Sequence, residues 1–556
     1  MLPLRRRHYL TFAKIFFMQR LLKTVLVLLF SISLQAQNIQ RPKLVVGLVI
    51  DQMRWDYLYR YYDRYAANGG FKRLLANGFT CENTMIPYTP SVTACGHSSI
   101  YTGSVPAITG IMGNFWWDNE LNRRVYCTED KSVKTVGSNS PLGQMSPKNL
   151  LATTVCDELR LATNFQSKVI GIALKDRGGI LTAGHSANAA YWYDSTNGGW
   201  ITSTYYMTDL PQWVKDFNAK KLVDKYYEQG WNTLYKINTY TQSTPDNTTW
   251  ERSLSRLKNF PYDTKGFAGK NYEAITTMPQ GNTLTAEMAK AAIAGEQLGA
   301  DNITDFLAVS FSSPDYIGHT FGPNSIEEED CFLRLDKDLG DFLNYLDTKV
   351  GKDQYLVFLS ADHGVAQVPA YLKSKNIPAG SFELMSLKRQ LNAALKEKFK
   401  DSLIVSLENY QVYLNHRLIE SEKIDADAVK SWVINYLLSK PEVARAFSLD
   451  KLIETTLNAT QKNMLTNGYY PRRSGDVQII LQPHIIGDGF TNSGTTHGLW
   501  NPYDTHIPLL WYGWGVKHGK TNREVYMTDI APTISAMLHI QMPSGCVGKP
   551  IEELMK

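Results

Sequence analysis

A chain of 556 residues outgrows a single small core, so one large domain with insertions, or a second domain, is expected. Its 43% hydrophobic and 20% charged residues exclude disordered and fibrous classes, and beyond the N-terminus no apolar run is long enough for a membrane helix. The formal net charge of +5 falls to −1 once residues 1–36 are set aside, because they hold six Lys/Arg and no Asp/Glu; no basic stripe remains to bind a nucleic acid.

In chain order, Arg5, Arg6, Arg7, Lys14, Arg20 and Lys23 lead into an apolar segment from Thr24 to Leu34, and Gln35-Ala36 offers a small-residue cleavage point. This pattern predicts a signal peptide over 1–36, with Met18 as an alternative start, and a periplasmic or secreted mature chain over 37–556 without a membrane span. A membrane anchor is the competing reading, and the shortness of the apolar segment weighs against it.

Leu44–Ile50 is a β-branched apolar run ending at Asp51, as expected of a strand buried on both faces. The pattern returns in Lys168–Leu174 before Lys175, in Phe306–Ser310 before Asp315, and in Tyr355–Ser360 before Asp362. Helical spacing is expected near Tyr57–Leu75, Leu284–Glu296 and Ile326–Leu346; towards the C-terminus, Ile507–Tyr512 reads as a strand and Asp529–Ile540 as a capped helix. Strands alternating with helices predict an α/β fold with a mostly parallel sheet, and ligands gather beyond the carboxyl ends of such strands. Two long stretches, about 185–280 and 366–480, are rich in Tyr, Trp, Asn, Gly and Pro and read as insertions covering the sheet edge.

The chemistry rests on Asp51, Asp315-x3-His319, Asp362-His363, and His497 within Gly494-Thr-Thr-His-Gly498. An Asp after a strand is commonly a cap, and a lone His commonly structural, so no single position decides anything. Together, six Asp and His from four segments, most trailing strands, point to one rim. Mixed His–carboxylate sets suit zinc better than magnesium or calcium. Six ligands divide into two sites, and paired metals about 4 Å apart suit phosphoryl transfer. The segment Pro90–Gly103 supplies hydroxyls entering a helix, where Ser91, Thr93, Ser98 and Ser99 are all eligible nucleophiles. The six cysteines form no CxxC pair and give no zinc signal; export permits disulfides without indicating a pairing.

Asp51, Thr93 in the stretch Thr-x3-His97, Asp315-x3-His319, Asp362-His-Gly364 and His497 resemble the signature of the alkaline phosphatase superfamily in order and spacing. The sequence is most similar to its phosphate-irrepressible periplasmic branch, the PafA type, through Arg41–Tyr57, Gly113-Asn114, Leu174-Lys-Asp-Arg177, Asp315–His319, Phe321–Ser325 and Met527–Thr533, essentially the full mature length.

That resemblance implies a three-layer α/β sandwich with insertions forming a cap, and two Zn2+ ions. One would be held by Asp51, Asp362 and His363 with Thr93, the other by Asp315, His319 and His497. It further implies that Thr93 is the nucleophile, passing through a phosphothreonine, and that Asn114, Lys175 and Arg177 hold the phosphoryl oxygens of a monoester. On an extended segment, Lys175 and Arg177 would project to one side. The enzymatic rival is a phosphodiesterase or nucleotide pyrophosphatase; a sulfatase is disfavoured because the Cys-x-Pro-x-Arg pattern is missing, and a non-catalytic relative because the ligand set is complete. His97, His185 and His506 read as supporting or structural, and the aromatics at Trp116-Trp117 and Tyr191–Tyr206 as packing.

Overall fold

A computed structural model of the chain describes residues 14–20, 40–487, 489, 490 and 492–555. Residues 1–41 and 42–556 form separate units. In the first, residues 14–20 are helical, and the remainder of the expected signal segment, with its cleavage point, lies outside the described residues.

The second unit is organised around ten strands: β1 Leu44–Ile50, β2 Phe79–Cys81, β3 Thr135–Val136, β4 Val169–Ala173, β5 Ala189–Asp194, β6 Gly199–Ser203, β7 Asp305–Phe311, β8 Tyr355–Ser360, β9 Leu509–Gly513 and β10 Gly519–Thr521. Their order is β10-β2-β9-β8-β1-β7-β4-β5-β6-β3. The five central strands, β8 to β5, run parallel. All seven residues of β1 are buried, the signature of a strand covered on both faces. On one face pack helices α1 (Thr93–Thr102) and α2 (Asp176–Ala183), which touch each other; a separate group contains α3 (Gln280–Glu296) and α5 (Ile326–Leu346), with α4 (Ser313–Phe321) against α5. This is the expected three-layer α/β arrangement.

Apolar spacing along α5 buries Leu333, Leu335, Leu339, Phe342, Leu343 and Leu346, and the Ser325 hydroxyl accepts from the Glu328 amide to cap its first turn. The region expected to be helical at Tyr57–Leu75 is broken into short pieces at Tyr57–Arg60, Tyr62–Arg64 and Gly70–Asn77. The stretch 185–280 is not separate from the sheet, since β5 and β6 fall within it and extend its edge. The stretch 366–480 builds its own four-stranded sheet, ordered Ile404–Glu408, Gln411–Leu414, Val477–Leu481 and Val443–Ser448. Helices Leu384–Phe399 and Ala426–Leu438 close a second core there, around Leu391, Val412, Val433 and Ile479.

Register explains where the chemistry collects. Ile50 pairs with Phe311, Val49 with Ser360, and Ser310 with Ala173, so β1, β7, β8 and β4 end level with one another. Asp51, α4, Asp362 and Lys175 therefore leave the sheet at one rim.

Candidate active site

The inner part of the rim holds Asp51, Asp362 and His363, all fully buried. The His363 Nδ1 donates to the Gly364 carbonyl at 3.0 Å, which leaves Nε2 as the lone-pair nitrogen facing inward. Nε2 lies 3.5 Å from Asp51 Oδ1, 3.4 Å from Asp362 Oδ2 and 3.4 Å from Thr93 Oγ1. Asp51 Oδ1 and Asp362 Oδ2 are buried with no hydrogen-bond donor. Two buried carboxylate oxygens without a hydrogen-bond donor, converging with an imidazole lone pair, fit a divalent cation, since only the nearby His97 ring offsets their desolvation.

The outer part holds Asp315 and His319, one turn apart on α4, and His497 from the distal loop. His319 donates from Nδ1 to the Thr495 carbonyl at 2.7 Å, and His497 from Nδ1 to the Ser91 carbonyl at 2.8 Å. Both Nε2 atoms then face Asp315 Oδ1, at 3.1 and 3.6 Å. In each triad the ligand atoms lie within 4.8 Å of one another. The His363 and His497 rings stack at 3.5 Å, so the two triads share a wall. All three imidazoles are oriented by backbone carbonyls, the arrangement that fixes a ligating tautomer.

Lys175 Nζ bridges the triads, 2.6 Å from Asp51 Oδ2 and 2.5 Å from Asp315 Oδ2. Two buried carboxylates thus share one ammonium, with Asp362 near by, and the imbalance shows in their titration. Burial, then the Asp315 and Asp362 charges, hold Asp51 well above the usual carboxylate range. Burial also opposes ionisation of Asp315, but His319 and Lys175 outweigh it and hold that carboxyl well below. Burial pushes His363 down to about 3 and also lowers His497, whereas Asp315 raises His319 against the effect of its burial. Opposed shifts of this kind within one buried cluster are common at functional sites.

Thr93 is the first residue of α1 and 2% exposed, so its hydroxyl sits where a helix N-terminus favours an anion. The helix rests on the backbone of Asp362: a Cβ on Gly96 would lie 2.3 Å from the Asp362 carbonyl oxygen. Asn114 Oδ1 accepts the Ala94 amide at 3.0 Å, setting which end of its side-chain amide faces the nucleophile. Arg177 Nη1 donates to Tyr126 Oη at 3.1 Å and its buried Nε has no acceptor. The Lys175 and Arg177 segment departs from the expected extended form. Lys175 caps α2 and Arg177 lies in its first turn, so a helix start rather than a strand brings the pair to the rim.

The type I phosphodiesterase / nucleotide pyrophosphatase family matches residues 45–498, which span all of these positions except the first strand residue and the C-terminal strands. The chain belongs to that family, within the alkaline phosphatase superfamily. Three similar proteins are alkaline phosphatase PhoV of Synechococcus elongatus (57% identical, 94% of each chain), a protein of Myroides odoratus named calcium-transporting ATPase (53%, 94% of this chain and 96% of its own), and alkaline phosphatase PafA of Elizabethkingia meningoseptica (52%, 96% and 98%). A crystal structure of wild-type PafA superposes with a TM-score of 0.92 at 52% identity, over 94% of this chain and 100% of that one. A second solved form of PafA carries substitutions at a threonine, an asparagine, a lysine and an arginine, in that chain order. Among the described residues no helix is long and apolar enough to cross a membrane.

Beyond the residues expected of this superfamily, the structure adds a supporting layer. His97 places Nδ1 2.9 Å from the Thr93 carbonyl and 3.2 Å from Asp362 Oδ2, while its Nε2 meets Ser310 Oγ at 2.8 Å; it braces the inner triad from behind. His185 and His506 lie elsewhere, hydrogen-bonded to the Leu150 and Glu82 carbonyls. Tyr126 escaped the sequence reading: it links Arg177 to Asp176, whose Oδ1 accepts its hydroxyl at 2.8 Å and whose Oδ2 accepts from Thr128. Nothing in its spacing marks it, because it arrives on the hairpin Phe115–Asp118/Arg123–Tyr126, which follows directly on Asn114. Trp116 and Tyr191 are buried, as expected of packing residues, and the six cysteines form no disulfide.

Proposed function

We propose that this chain is a zinc-dependent alkaline phosphatase that hydrolyses phosphate monoesters through a phosphothreonine on Thr93. The observation that carries the reading is the convergence of Thr93 Oγ1, His363 Nε2 and the orphaned oxygens of Asp51 and Asp362 at the start of α1. Asp51, Asp362 and His363 with Thr93 would hold one zinc, and Asp315, His319 and His497 the other; when bound, the two ions supply Lewis-acid charge at the attacking and departing oxygens.

Thr93 Oγ1 loses its proton and forms the bond to phosphorus as the ester oxygen departs in line and leaves as the alcohol with that proton; water then attacks the phosphothreonine, releasing hydrogen phosphate and restoring the hydroxyl. Arg177 presents a planar fork to the equatorial oxygens, Asn114 an amide donor, and Lys175 a point charge from between the triads. The names of PhoV and PafA support monoesters as the substrate class, and the order of the residues substituted in the second PafA structure supports the roles of Thr93, Asn114, Lys175 and Arg177. In keeping with this, residues 1–36 are a signal peptide and the enzyme is periplasmic or secreted, with 37–556 as one catalytic domain capped by insertions.

The family's description favours a second reading, hydrolysis of diesters or nucleotide pyrophosphates. Steady-state kcat/KM on nitrophenyl phosphate and on its bis-nitrophenyl diester separates the two. The expected result is a clear monoester preference that shrinks in Arg177→Ala, and loss of monoester turnover in Thr93→Ala. A diester preference in the unaltered enzyme would overturn the proposal.

A further inference from the structure

Gln52 follows the ligand candidate Asp51, is fully buried, and has φ of +66°. A glutamine in the left-handed region is uncommon, and such strain persists where the surroundings over-determine it. Here both halves of the residue are gripped by different triads. Its backbone N–H donates to Asp362 Oδ1 at 3.1 Å, the oxygen opposite the one facing His363. Its side-chain Nε2 donates to Asp315 Oδ1 at 2.6 Å and lies 3.4 Å from the Asp315 carbonyl oxygen. With two acceptors on that side, the amide has one workable orientation.

The helix has made room for it. A Cβ on Gly318 would stand 2.0 Å from Gln52 Oε1, so the glycine between Asp315 and His319 is the gap through which the amide reaches the carboxylate. Asparagine at position 52 would tolerate the backbone conformation better but is one methylene shorter, and glycine would keep the N–H and lose the amide.

We propose that Gln52 is a positioning residue that couples the two triads, using its strained backbone to set Asp362 and its amide to set Asp315, so that occupancy of one metal site favours the other. The proposal rests on the two-metal reading above. Outer partners of metal ligands commonly change metal affinity by about 10- to 100-fold.

The test is competitive zinc titration of the purified full-length protein against a chromogenic chelator, with kcat and KM measured at each loading, in wild type, Gln52→Gly, Gln52→Glu and Gly318→Ala. Expected are two ions per wild-type chain, and in Gln52→Gly a second ion bound at least about tenfold more weakly. Its kcat should fall at limiting zinc and recover with excess zinc, with KM little changed. Gly318→Ala, which displaces the amide while keeping Gln52, should shift affinity the same way, and Gln52→Glu should lose the donor without losing volume. A thermal melt without added zinc separates a structural role: strain relief in Gln52→Gly works against the lost Nε2–Asp315 bond, so the proposal expects Gln52→Gly and Gly318→Ala both to stay folded at the assay temperature while their zinc affinity falls. Fewer than two ions in wild type would overturn the two-metal reading itself. Two ions in wild type with unchanged affinities in both Gln52→Gly and Gly318→Ala would overturn the role of Gln52 alone.

Discussion

The two triads use the same residue types and differ in their surroundings. The side chains of Asp51, Asp362 and His363 are all 0% exposed, and two of the three residues follow adjacent parallel strands. In the outer triad the His319 side chain is 28% exposed, and the ligands come from a helix turn and a loop far along the chain. The difference suits the proposed division of work. A dry, strand-anchored triad suits activation of a hydroxyl that must not move, while one with a more exposed histidine suits a leaving oxygen that must exit with solvent.

Ligand removal should break that comparison most strongly. His363→Ala is expected to lower kcat by more than the roughly 10²-fold that loss of a supporting partner costs, without rescue by added zinc. His319→Ala should lose less and recover partly with excess zinc; equal losses from the two, measured by steady-state kinetics over a zinc series, would erase the distinction between the triads. A chelator should likewise strip the outer ion first, seen as one ion retained per chain by metal analysis after brief dialysis.

A smaller effect is expected at Tyr126. Tyr126→Phe removes the hydroxyl that joins Arg177 to Asp176 and should cost about tenfold in monoester kcat/KM, near 1.4 kcal/mol, while leaving diester turnover alone. An equal loss on both substrates would make Tyr126 a packing residue.

The smallest effect on activity, though a real one on stability, is expected away from the rim. Asp157 caps its own helix through Thr154 and also accepts from Ser186 N and Oγ, at 2.7 and 2.8 Å. Although burial opposes it, donors from His185, Thr154 and Ser186 hold its carboxyl down at about 2. The folded value lies below the unfolded value of about 3.9, so this stabilisation is complete above pH ~4 and is lost as pH falls towards 2, amounting to about 2–3 kcal/mol. Urea midpoints at pH 6 and pH 3 should therefore converge between wild type and Asp157→Asn as the pH drops.

Much of the inner triad was legible because strands announce their own ends. Leu44–Ile50 and Tyr355–Ser360 are continuous apolar runs, and Asp51 and Asp362-His363 stand where such runs must stop. His497 had no strand before it, and its link to His319 depends on the Thr495 carbonyl, a contact that spans 176 residues of sequence. Local propensity cannot encode that distance, and family resemblance supplied the assignment. Lys175 and Arg177 were expected on one extended segment, whereas Asp176 between them opens a helix. Gln52 was invisible for a different reason: its φ and its reach to Asp315 are properties of the assembled rim.

Gly96 has one more implication. Because it brings the Thr93 helix against both the main chain and the Cβ of Asp362, any larger residue at position 96 would push the nucleophile's helix off the inner triad, and that contact is fixed. Enlarging the site for a bulkier ester therefore has to be done elsewhere, as along the hairpin from Phe115 to Tyr126, which is tied to the 366–480 stretch through Arg124 and Glu408. Directed evolution of substrate range should accumulate its changes there and leave the helix untouched.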